Sequence, residues 1–140
     1  MKPVTFLLVE DDEVDIQAMQ RTFVRMRLAN TLLLARDGVE ALELMRGSNG
    51  STRLEPPYIV MLDLSMPRMG GIEFLEVLRA DAGLTSTIVF VLTTSAEERD
   101  RVAAYKHHVA GYIVKQDIGG DGLSKAIDML DHYWRVVELP

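Results

Sequence analysis

The chain contains no cysteine. Disulfides and thiolate metal sites are therefore excluded, and a reducing compartment such as the cytoplasm fits. No apolar run approaches the roughly 20 residues that span a bilayer. The start, Met1-Lys2-Pro3-Val4, carries one charge and passes straight into a strand pattern, which is not that of a signal peptide. A basic stripe is also missing. With a net charge of −6 spread over 140 residues, the chain is not suited to direct nucleic-acid binding. Internal repeats are absent. The only linker-like stretch is Gly47–Pro57, which reads as a surface loop and is too short for a domain.

What is present is a hydrophobic fraction of 48%, enough to bury a core. The length suits one domain spanning 1–140, with no output domain and a C-terminal extension over 134–140. Short apolar runs alternate with helical spacing. Strands are expected at about 4–9, 31–35, 58–63, 87–92 and 111–114. Helices are expected at about 12–28, 38–46, 71–80, 96–109 and 121–137. The runs Phe6–Val9 and Ile88–Leu92 are apolar on both faces, as in parallel sheets covered by helices. Strict alternation predicts an α/β fold, a doubly wound parallel sheet of five strands. The usual order for such a sheet is 2-1-3-4-5, with its switch point between strands one and three. Ser95-Ala96-Glu97-Glu98 reads as a capping box that starts the fourth helix.

Four of the apolar runs end in residues that phosphate and metal chemistry uses. Val4–Val9 runs into Glu10, Asp11 and Asp12. Tyr58–Leu62 runs into Asp63, Ile88–Leu92 into Thr93, and Tyr112–Val114 into Lys115. Parallel strands bring all these endings to one edge, where open α/β sheets bind ligands. Clustered carboxylates stay ionised at neutral pH only if a cation offsets their repulsion. Oxygen ligands without His or Cys point to Mg²⁺. Lys115 supplies a mobile charge for a phosphoryl oxygen, and Thr93 a hydroxyl donor. Together they are equipment for forming an aspartyl phosphate. Asp12 reads as a helix N-cap in preference to a ligand.

Glu10-Asp11 in LLVEDD, Asp63 in MLDLSMPRMGG, Thr93 in VLTTSAEE, and Tyr112 and Lys115 in GYIVK carry a resemblance. The chain resembles a two-component response-regulator receiver domain, of flavodoxin-like fold, over essentially its whole length. That resemblance implies Asp63 as phosphoacceptor and Asp11 as a direct Mg²⁺ ligand. Glu10 would act on the metal through water, and the Ser65 carbonyl would complete the protein's share of the coordination. Lys115 would pair with the phosphoryl group or with Asp63. Thr93 and Tyr112 would form the switch, and Ser65 and Ser95 would tune dephosphorylation. The implied partner is a sensor histidine kinase, with output through a downstream protein or onward phosphotransfer.

Two departures from the family pattern stand out. Gln116 replaces a proline after the lysine, where a cis bond would cost about 2.5–4 kcal/mol; either a trans bond or a strained cis bond is expected. Gly70 stands where many relatives have Asp. The loop Gly47–Pro57 and the tail Trp134–Pro140 resemble those of single-domain regulators that partner bacterial phytochromes. Two rival readings are a receiver-like binding module that works without phosphorylation and an aspartate-based phosphatase, though Ser65 sits where the latter needs a second acid.

The last helix carries two apolar stripes. One is Leu123, Ile127, Leu130, Trp134 and Val137, and the other Ala126, Met129, Tyr133 and Val136. A surplus this wide predicts a homodimer through Leu130, Tyr133, Trp134 and Val137, with Trp134 as anchor. Met19, Met26, Met45 and Met129 read as core filler. His107 and His108 close the fourth helix, where imidazolium suits the dipole.

Overall fold

A computed structural model describes residues 3–117 and 122–140. Five strands form one parallel sheet: β1 (Thr5–Val9), β2 (Leu32–Ala35), β3 (Tyr58–Leu62), β4 (Ile88–Thr93) and β5 (Gly111–Val114). Their order is β2-β1-β3-β4-β5. The helices are α1 (Glu13–Arg25), α2 (Gly38–Arg46), α3 (Gly71–Ala80), α4 (Glu98–Lys106) and α5 (Gly122–Val136). A short 3-10 turn, Lys115–Asp117, follows β5. No described helix is long and apolar enough to cross a membrane.

Successive strand residues point to opposite faces, so each central strand feeds two cores. Leu7 and Val9 of β1 join Val60, Leu62, Val89 and Val91 in a cluster closed by Leu42 and Met45 of α2 and Phe74 and Leu78 of α3. Phe6 and Leu8 join Ile59, Met61, Phe90 and Leu92 in a second cluster, closed by Ile16, Met19 and Phe23 of α1 and by Ile127, Leu130 and Trp134 of α5. Burial on both sides is why the strand runs lack polar alternation.

Three helix ends differ from expectation, the end of α1 and both ends of α4, which stops at Lys106 with His107 as its C-cap and His108 beyond it. The spacing carries α1 to residue 28, but the helix stops at Arg25. Leu28 N–H donates to the Phe23 carbonyl and Arg27 N–H to that of Val24, with Arg27 in the left-handed region at φ 55°. This is a Schellman turn. Leu28 keeps the apolar periodicity because it folds back onto the second core. The capping box at Ser95 does not form. Helix α4 begins at Glu98 with no side-chain cap. The Ser95 hydroxyl donates instead to Asp100 Oδ2 at 2.5 Å.

The C-terminal helix corrects the expected interface. Leu130 and Trp134 are 2% and 7% exposed and pack inward against β3, β4 and α1 residues of their own chain. Trp134 Nε1 donates to Asp131 Oδ1 at 2.9 Å. Neither residue is available to a partner, because one apolar stripe is consumed in covering the sheet. Tyr133 is half-buried, edge-on to Phe90 at 5.2 Å. Met129, Val136 and Val137 are exposed.

Arg79 of α3 ties the opposite layer together. Its guanidinium donates to the carbonyls of Thr85, Thr87, His107 and His108. This joins α3, the loop before β4 and the end of α4.

Candidate functional site

Sheet register assembles the site. Val9 is paired with Leu62 across β1 and β3, so Glu10 and Asp63 leave the sheet side by side. Thr93 is paired with Val114 across β4 and β5, which brings Lys115 to the same edge. One oxygen each from Glu10, Asp11 and Asp63 lies within 4.8 Å of the others. The expected cluster therefore forms.

Asp63 is 6% exposed and Thr93 fully buried. Thr93 Oγ1 donates to Asp63 Oδ1 at 2.8 Å. The Ser65 amide approaches the same oxygen at 3.4 Å. Lys115 Nζ lies 3.7 Å from Asp63 Oδ2, too far for a hydrogen bond. Its two close partners are Glu10 Oε2 at 2.7 Å and Asp15 Oδ2 at 2.8 Å. The expected direct pairing of Lys115 with Asp63 is thus secondary here. The second partner, Asp15, is absent from the residues singled out in the sequence. With Asp12 as N-cap, Asp15 falls in the first turn of α1, but its contact with Lys115, 100 residues further along the chain, has no local signal.

Burial lowers the Lys115 ammonium's proton affinity, but hydrogen bonds to Asp15 and Glu10 more than offset this and raise its pKa. Burial pushes Glu10 up from 4.5 to about 7, opposed by Lys115 and reinforced by Asp63. A carboxyl raised in the fold stabilises fully below its unfolded pKa of 4.5 and loses that contribution as pH rises through about 7. The metal-free chain is expected to lose about 2 kcal/mol between pH 5 and pH 8 from this group. Thermal melts in chelator across that window should slope downward. Glu10→Gln should flatten the slope, and an unchanged slope would assign it to other groups.

The remaining predicted residues fall into place around this centre. Asp12 is the N-cap of α1, accepting from the Val14 and Asp15 amides. Tyr112 OH donates to the Ser95 carbonyl at 2.9 Å, joining β5 to the loop after Thr93. Burial, the leading cause, raises the Tyr112 phenol above its usual pKa. Gln116 Nε2 donates to the Thr94 carbonyl at 3.0 Å and adds a second tie to that loop. The recorded cis bond among the described residues is Pro56–Pro57, so the Lys115–Gln116 bond is trans.

The loop after Asp63 is held by contacts the sequence did not advertise. Arg68 grips Asp37 through Nε at 2.7 Å and Nη2 at 3.2 Å. Asp37 also caps α2 through the Glu40 amide. Burial would raise the Asp37 carboxyl, but Arg68 and the Glu40 amide outweigh it and hold it below its ordinary pKa. Gly70 caps α3 without a side chain, so this clamp secures the loop instead. Gly71 cannot carry a side chain, since a Cβ would stand 2.6 Å from Leu64 Cα and 2.8 Å from the Asp63 carbonyl.

The donor set fits a hard divalent cation. It is all oxygen, partly buried and negatively charged. Asp11 is the exposed member, and no described residue pairs with its carboxylate. Both oxygens of Glu10 are engaged, Oε2 by Lys115 and Oε1 by the Asp12 amide.

A buried aspartate at the carboxyl edge of a 2-1-3-4-5 sheet, flanked by acids, a threonine and a lysine, defines a receiver. The chain belongs to the response regulator receiver domain family, whose model matches residues 6–128. The probable methanogenesis regulatory protein FilR2 of Methanothrix harundinacea is 33% identical over 132 residues, covering 94% of this chain and 84% of that protein. Response regulator Rcp1 of Synechocystis is 31% identical over 139 residues, covering 99% and 94%. A Mn²⁺-bound form of Rcp1 superposes with a TM-score of 0.77, covering 99% of each chain at 30% identity. The phosphorylated cyanobacterial phytochrome response regulator RcpA superposes with a TM-score of 0.82, covering 99% of each chain at 29% identity. The protein is thus a response-regulator receiver whose relatives include phytochrome response regulators.

Proposed function

We propose that this receiver takes a phosphoryl group onto Asp63 from a sensor histidine kinase and signals from the cytoplasm through protein partners. The supporting observation is the Asp63 carboxylate, buried at the sheet edge between Thr93, Lys115 and the Glu10-Asp11 pair. In the transfer, an Asp63 oxygen forms a bond to phosphorus as the bond from phosphorus to the kinase imidazole nitrogen breaks. Thr93 and Lys115 lie where they can neutralise charge on the transferred oxygens. A Mg²⁺ ion held by Asp11, Asp63, Glu10 and the Ser65 carbonyl would supply positive charge against the carboxylates and the phosphoryl group. Thr93, drawn to the phosphoryl, would release Asp63 Oδ1, and Tyr112, tied to the same loop through Ser95, would follow. Ser65 and Ser95 flank this centre as tuning positions for phosphate loss.

Likeness to RcpA and Rcp1 supports a phytochrome-type kinase as the partner. The receiver would hand the signal to a downstream protein or phosphotransfer partner. The direct test is intact-mass measurement after acetyl phosphate treatment. One phosphoryl adduct is expected with Mg²⁺ present and none in chelator. Equal uptake in chelator would remove the metal from the reading.

A second copy of the chain is the proposed occupant of the outer face of α5. Tyr133 and Val137 of the expected interface remain accessible there, beside Met129 and Val136. Val136, 82% exposed, continues the outer stripe of Met129 and Tyr133 along the helix, and contiguous exposed apolar surface of this kind is what interaction sites present. Light scattering should give a dimer for the wild type and a monomer for Val136→Glu. A wild-type monomer at micromolar concentration would overturn this interface.

A further inference from the structure

We infer that Asp15 is a positioning residue for Lys115, holding its ammonium off Asp63 and so keeping the phosphoacceptor available as a nucleophile. This rests on the aspartyl-phosphate reading above. An ammonium has three N–H donors. Glu10 and Asp15 take two of them at 2.7 and 2.8 Å, while Asp63 Oδ2 stands off at 3.7 Å. The lysine side chain is largely buried, at 14% exposed. It borders a pocket of about 170 Å³ floored by Leu8, Met19, Leu92 and Leu123. The hydrogen bonds of the ammonium itself are both to carboxylates. Glu10, with a side chain 2% exposed, pulls from one side, and Asp15, 37% exposed, pulls from the helix side.

Asp15 is not needed to cap its own helix. The Asp12 carboxylate already accepts from the Val14 and Asp15 amides. Its favourable place in the first turn is shared with Glu13. The contact that distinguishes Asp15 is the one to Lys115.

In Asp15→Asn the ammonium exchanges one of its two charged acceptors for a neutral, weaker one. Beyond Glu10, the nearest carboxylate oxygen is Asp63 Oδ2. Closure there would give the nucleophile a charge-assisted hydrogen bond in addition to the one from Thr93. An opposite charge in contact lowers a carboxylate's basicity, and reactivity follows basicity in part. Asp15→Asn should therefore slow phosphorylation at saturating donor by about fivefold, with little change in the donor's KM.

The experiment uses acetyl phosphate in excess Mg²⁺ and follows adduct formation by intact mass. The chains compared are wild type, Asp15→Asn, Asp15→Glu, Lys115→Met and the double variant Asp15→Asn/Lys115→Met. The expected pattern is slowing in Asp15→Asn, recovery in Asp15→Glu, and no further slowing when Asp15→Asn is added to Lys115→Met. A residue that merely supports helix α1 would slow both backgrounds equally, and that result would overturn the proposal. So would an Asp15→Asn chain as fast as wild type. The wild type, Asp15→Asn, Lys115→Met and their double variant are also unfolded in urea without metal, where non-additive stabilities are expected and additive ones would overturn the proposal. A wild type that takes no phosphoryl group fails the aspartyl-phosphate reading instead, and the unfolding cycle then decides whether Asp15 holds Lys115.

Discussion

Asp63→Asn should abolish phosphoryl uptake while leaving the fold intact. An amide of the same shape keeps an oxygen for Thr93 Oγ1, which donates to Oδ1 at 2.8 Å. It loses the negative charge and the nucleophilic oxygen, and removal of a nucleophile typically costs on the order of 10³-fold or more. Loss of folding is not expected to account for the effect. Asp63 is one of the groups raising the Glu10 pKa, so neutralising it relieves repulsion inside a buried cluster. The variant's melting temperature should equal or exceed that of the wild type in chelator. Intact mass after acetyl phosphate reads the outcome. An adduct persisting on Asp63→Asn would move the phosphoacceptor elsewhere, with Asp11 and Asp12 the neighbouring carboxylates to examine by fragment mass.

The strand endings carried most of the site into view because a parallel sheet turns sequence position into spatial position. Val9 against Leu62 and Thr93 against Val114 are the register pairs that make Glu10, Asp63, Thr93 and Lys115 converge. Other features depend on interactions that periodicity does not encode. Arg27 ends α1 in a left-handed turn usually given to glycine, so the apolar spacing overran the helix. Ser95 has the composition of a cap, but its hydroxyl is drawn to Asp100 and its carbonyl accepts from Tyr112. Trp134 sits on a stripe that is apolar whether it meets the sheet or a partner. Only packing distinguishes these, and it places Trp134 in the core. The Arg68–Asp37 clamp spans 31 residues between two loops. Charged residues of this kind usually read as solvated surface, and nothing local marked them as a pair.

Asp11→Asn should weaken Mg²⁺ binding far more than Glu10→Gln. Both acids belong to the three-carboxylate cluster, but their surroundings differ. Asp11 is exposed, and among the described residues its carboxylate has no partner to release before it binds a cation. Glu10 is buried, with one oxygen on Lys115 and the other on the Asp12 amide. It would have to give up an ion pair to ligate directly, so its influence runs through charge and through water. Replacing a direct carboxylate ligand with an amide removes charge and ligand strength together. A loss on the order of 100-fold is expected for Asp11→Asn, against about tenfold for Glu10→Gln, the low end of the range for groups acting behind the ligands. Glu10→Gln carries a second effect that also weakens cation binding. Without the Glu10 carboxylate, one of the two charged tethers on Lys115 goes, and the ammonium is left to Asp15 and Asp63. Its closure on Asp63 would compete with the cation, so the Glu10→Gln loss should shrink in a Lys115→Met background. Asp11→Asn should lose the same factor in either background. Calorimetric titration above pH 7.5 reads all four chains, and equal losses in the two single variants would remove the distinction between direct and water-mediated ligands.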